Sequence, residues 1–145
     1  MQIKKKSITF VIPLVTNIKT KTIMETLKIY VTNQKELIKK RLDEYKETEC
    51  LKHFLICRAH EAYKTSVLYD LFIDFEESVG EDLTDKKEAK DYIVHTITHY
   101  EKKLLSGKID MYTTNPMKNL INIWEMEVMP ELIDELRYML KLIND

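Results

Sequence analysis

Glycine is nearly missing from this sequence: Gly80 and Gly107 are the only two among 145 residues. Proline is scarce too, at Pro13, Pro116 and Pro130. Tight hairpins and strand bends consume both residue types, so a mostly β chain is disfavoured. The same scarcity excludes phosphate-cradling loops, since neither GxGxxG nor GxxxxGK occurs. Cysteine is limited to Cys50 and Cys57, which reads most simply as free thiols in a reducing, cytoplasmic compartment. An excess of one charge is also lacking. The 23 basic and 24 acidic residues leave a net charge of −1, a whole-chain balance that favours neither nucleic acid nor an anionic membrane surface. No apolar run is long enough for a membrane span.

What is present is a composition 44% hydrophobic and 32% charged, which excludes a disordered chain. The length fits one domain, burying roughly 70% of the surface its unfolded chain exposes. Residues 1–23 stand apart. Lys4, Lys5 and Lys6 precede an apolar run over residues 8–15, but a small-residue cleavage site is missing, which argues against a signal peptide. This segment reads as an N-terminal extension, with Met24 a candidate biological start. From Met24 to about residue 47, Leu27, Val31, Ile38, Leu42 and Tyr45 recur at helical spacing. Thr48 is a candidate break and N-cap. A second helix is predicted from about Glu49 to Val79, with Gly80 at its C-cap. Asp85 and Glu88 form a capping-box pattern that opens a third helix to about Ser106, with the stripe Ala89, Ile93, Ile97, Tyr100 and Leu104. Gly107 supplies a stop and residues 108–114 a loop. Asn115-Pro116 opens the last helical stretch, to about Ile143, which Pro130 is expected to kink or split. The expectation is therefore an all-α domain over residues 24–145 with four to six helices.

Cys50, His53, Cys57 and His60 fall within about an 80° arc of one helix face. One straight helix cannot wrap four ligands around a tetrahedral ion, so no metal site is assigned. The face continues as Leu68, Leu71 and Phe75. That leaves two readings, plain core packing or a polar spot inside an apolar pocket. His95 and His99 share an i, i+4 spacing but lie roughly opposite their helix's apolar stripe, which suits solvated histidines. The zincin pattern HExxH is missing, because Thr96 follows His95 and Lys64 stands four residues after His60. There is no GxSxG elbow and no CxxC, and no catalytic residue is assigned.

The middle helix carries apolar residues on nearly all sides, from Phe54 to Phe75, interrupted by His53, Arg58, His60 and Lys64. An apolar cavity with one cationic end suits a long-chain carboxylate. The predicted ligand-binding set is His53, Phe54, Cys57, Arg58, His60, Lys64, Leu68, Leu71 and Phe75. The competing reading lets Arg58 and Lys64 merely snorkel to the surface.

Three segments, METLKIYVTNQKELIKKRLDEY, LKHFLICRAHEAYKTSVLYDLFIDF and WEMEVMPELIDELRYMLKLI, resemble the non-haem globin sensor domains of sporulation histidine kinases. The likeness is to the stand-alone, plasmid-encoded type, and covers about 120 residues from Met24. It rests on length, helix order and texture, without a short diagnostic motif. The resemblance implies a globin-like fold without haem, a fatty acid in an internal tunnel, and a chloride or other halide near one end. It also implies inhibition of sporulation by competing with a sensor histidine kinase for its signal. A homodimer is compatible with this reading. Two rivals remain: a haem-binding globin using His60 and His95, and a protein-interaction module of the plasmid or phage antagonist kind without a small ligand.

Overall fold

The computed structural model describes residues 2–48, 50–106 and 115–145, with side chains from Lys21 onward. Five helices follow one another: α1 Gln2–Lys46, α2 Leu51–Cys57, α3 Ala59–Val79, α4 Lys86–Ser106 and α5 Pro116–Asn144. No strand occurs among the described residues, so the chain is all-α. The expected start of the second helix at Glu49, the stop at Gly107 and the loop at 108–114 lie outside the described residues. So do the side chains of residues 1–20.

Helix α1 corrects the expected start. The apolar run at 8–15 lacks helical periodicity, yet the backbone is one helix from Gln2 to Lys46, about 67 Å long at 1.5 Å per residue. Its contribution to the core begins where periodicity begins. Met24, Leu27, Val31 and Ile38 are buried, and Leu42 packs partly against them.

The second predicted helix is also corrected, for the chain breaks at Arg58 (φ −123°, ψ −26°) and forms α2 and α3 instead. The break leaves the hydrogen-bond ladder nearly intact. The Arg58 amide still donates to the Phe54 carbonyl at 2.8 Å, and the Ala62 amide to the Arg58 carbonyl at 2.9 Å. Pattern alone cannot reveal such a break, because LKHFLICRAHEAYK contains neither Gly nor Pro. Thr48 is not the N-cap. Cys50 holds that position in an extended conformation, with no side-chain cap bond.

The remaining caps follow the sequence signals. Gly80 closes α3 at φ 90°, and its amide donates to the Glu76 carbonyl. The Asp85 carboxylate accepts from the Glu88 amide at 3.0 Å. The Asn115 side chain accepts from the Met117 and Lys118 amides at 3.0 and 3.3 Å, satisfying donors that a helix start leaves orphaned. Pro130 does not split α5, which continues through it. Its ring lies on the exposed side, between buried Met129 and Leu132.

The core is closed at one end of the bundle. Leu71, Phe72, Phe75 and Val79 of α3 meet Ala89 and Ile93 of α4, and Val128, Leu132, Leu136, Met139 and Ile143 of α5. Leu83, in the α3–α4 connection, adopts φ 46° and is 1% exposed, so burial of its side chain offsets a backbone conformation costly for leucine. Ion pairs tie the helices outside this core: Lys35 with Glu76, Lys103 with Glu125, and Arg137 with Glu101. Towards the other end the described residues are less enclosed. None of α2 is buried, and neither is the first half of α5, where Met117, Leu120, Ile121 and Ile123 are exposed.

Candidate functional site

The break at Arg58 disperses the residues that a single continuous helix would have aligned. His53 and Cys57 are exposed on α2, and Arg58 is exposed at the junction. Cys50 and Cys57 are both free thiols. Leu71 and Phe75, expected as tunnel walls, are 3% and 0% exposed within the packed core, and Leu68 packs half-buried against it. Of the predicted set, Phe54 faces a concave apolar surface, and His53 and Cys57 line a smaller one of about 240 Å³ with Cys50, Lys52 and Ile56.

His60 and Lys64, half-buried at the start of α3, already have carboxylate partners on α5. Lys64 Nζ lies 2.8 Å from Glu131 Oε1. The hydrogen bond to Glu131 is the main cause of its raised pKa, with burial opposing. His60 Nε2 lies 2.7 Å from Glu127 Oε2, yet this enclosed nitrogen makes no properly directed hydrogen bond. The contact is therefore close approach rather than aligned donation. The His60 ring stacks on Trp124 at 5.1 Å, and Tyr63 meets the same indole at 5.7 Å. Burial, then the Glu125 charge, pushes the Tyr63 hydroxyl pKa upward. This cluster joins α3 to α5. His95 and His99 are exposed on α4. Among the described residues, no three His, Cys, Asp or Glu side chains are grouped so as to hold a metal ion.

The concave apolar surface lies where α1 ends and α2 turns back. Leu42 and Tyr45 of α1, Thr48 of the connection, Leu51 and Phe54 of α2, and Ala62 of α3 line a groove of about 380 Å³, with Lys46 at the same site. That volume lies in the range of small-molecule sites. Lys46 Nζ is 3.4 Å from Asp43 Oδ1, with both side chains largely in solvent, so this weak surface pair leaves the ammonium available to a stronger anion. Sequence reasoning placed Leu42 and Tyr45 on a core stripe. The available signal was that this stripe continues past Ile38 to the end of the helix. A second groove, of about 480 Å³, lies midway along α1 between Met24, Lys28, Asp82 and Leu83. It is more polar, and Lys28 faces Asp82 across it at 3.8 Å.

Compared with known proteins, no family model, no curated protein and no solved structure matches the chain.

Proposed function

We propose that this is a non-catalytic binding protein that takes a fatty acid in the groove between the end of α1 and helix α2. The observation that carries this reading is the groove itself, with Leu42, Tyr45, Leu51 and Phe54 as walls and one cation, Lys46. The apolar walls hold the alkyl chain. The ammonium receives the carboxylate, a role the sequence assigned to His53, Arg58, His60 or Lys64. The pairing of His60 with Glu127 and of Lys64 with Glu131 supports the transfer of that role to Lys46. The biological role follows from the resemblance to sporulation sensor domains: a globin-like cytoplasmic module that sequesters the signal of a sensor kinase and so restrains sporulation.

Calorimetric titration of delipidated protein with saturated fatty acids tests this. Affinity should rise roughly tenfold for each two methylenes buried, at about 0.8 kcal/mol apiece, until the groove is full. Leu42→Trp fills the groove and should abolish binding. Lys46→Met should cost about two- to fivefold for the acid, because the charge is exposed, and leave the matched alcohol unchanged. Absence of heat with every chain length would reject the ligand. The second reading, a protein-interaction module, draws on the exposed apolar residues Met117, Leu120, Ile121 and Ile123 of α5.

A further inference from the structure

Helix α2 is apolar in sequence, LKHFLIC, yet none of its residues is buried. Leu51, Leu55 and Ile56 are 71%, 53% and 72% exposed. At 100° per residue, Leu51, Leu55, Lys52 and Ile56 occupy one arc of about 140°. Phe54 lies off that arc and lines the groove. Within α2 and its junction with α3 the charge is one-sided. From Cys50 to His60 the chain has Lys52 and Arg58 and no carboxylate, in a sequence with 24 of them; Glu49 and Glu61 flank the stretch directly, and Glu47 precedes Glu49 by two residues.

We propose that the outer face of α2 docks on an anionic phospholipid bilayer, with Leu55 and Ile56 entering the headgroup–acyl boundary and Lys52 and Arg58 meeting lipid phosphates. Each half of the chemistry selects this occupant. A protein partner's apolar groove would cover Leu55 and Ile56 without needing the cations, and a nucleic acid would use the cations without needing the apolar side chains. Shallow apolar insertion beside basic side chains is how interfacial helices hold to acidic membranes. Net charge over the whole chain hides this, because the acids lie outside α2 and its junction with α3. The proposal deepens the fatty-acid reading and rests on it for its purpose. A fatty acid partitions into bilayers, and α2 has one face for the lipid and Phe54 in the groove.

The test is flotation of the full chain with vesicles of phosphatidylcholine alone and of equal parts phosphatidylcholine and phosphatidylglycerol. The protein should float with the anionic vesicles only, and less as salt is raised. Ile56→Glu should weaken partitioning roughly tenfold or more, and Lys52→Gln about fivefold. Because neither side chain is buried, both variants should keep the wild-type circular dichroism and melting temperature. Ile56→Glu should also keep its fatty-acid affinity in vesicle-free buffer. Loss of fatty-acid binding by the wild type with flotation retained would reject the ligand and leave the docking surface standing. The docking proposal is overturned if the wild type floats with neither vesicle, if it floats equally with both, or if Ile56→Glu floats as the wild type does. It is also overturned if Ile56→Glu splits a dimer in sedimentation equilibrium, which would make a second copy the occupant.

Discussion

Tyr30 shows how one side chain couples distant helices. It is half-buried on α1, its hydroxyl donates to the Glu135 carboxylate on α5, and its ring meets Phe72 and Tyr138. Burial first, then the bond to Glu135, raises its pKa well above the ordinary tyrosine range. The folded chain thus holds this proton more tightly than the unfolded chain. The resulting stabilisation is fully present below the unfolded value of about 10. It is lost as pH climbs from there through the raised folded value. Spectrophotometric titration of phenolate should show Tyr30 ionising late, joined by Tyr63, Tyr92 and Tyr100, all raised chiefly by burial. Tyr30→Phe should cost about 1 kcal/mol at neutral pH, the worth of one hydrogen bond, and flatten the alkaline fall in stability. An unchanged slope above pH 10 would show that Tyr30 is not its source. The partner was not legible in the sequence, where Tyr30 follows Leu27 at i+3 and carries no mark of a residue 105 positions away.

Helix ends were more legible than helix continuity. Gly80, Asp85 and Asn115 sit where their chemistry places them, because a cap is a local contract between a side chain and the next three amides. Gly80→Ala tests one such end. An added Cβ would meet nothing within 4 Å, so any cost is backbone strain at φ 90° and should be about 1–2 kcal/mol in thermal or denaturant unfolding. Asn115→Ala should cost about 1 kcal/mol through two lost cap bonds. A full-strength Gly80→Ala protein would mean that the turn after α3 readily adopts another shape. The break at Arg58 is the opposite case. Its residues all tolerate helix, so the division between α2 and α3 is a matter of tertiary geometry, with α2 left facing the end of α1.

The molecule as a whole has a closed half and an open half, and stability should be divided the same way. Leu136 is 0% exposed at the meeting of α5 with the core, whereas Leu55 on α2 is 53% exposed. Leu136→Ala should therefore lose about 2–5 kcal/mol in urea unfolding. The chemically identical Leu55→Ala should stay within about 0.5 kcal/mol. Equal losses would mean that α2 is packed as firmly as the core. Hydrogen exchange should divide likewise, with α2 amides opening well before those of Val128–Ile143.

The sequence by itself determined the all-α class, the core stripes of α1 and α4, and three of the helix ends. Each of these rests on contacts within a few residues or on a repeat that one helix displays. The predicted site was only partly legible. His53, Cys57, His60, Leu71 and Phe75 share one face only if the helix is straight, and a single bend at Arg58 sends them to solvent, to the Glu127–Trp124 cluster and to the core. Tertiary structure alone decided which apolar residues are core and which are free. Leu71 and Leu55 look alike in the chain, but burial depends on whether α1, α4 and α5 reach the position, and no local pattern carries that distance.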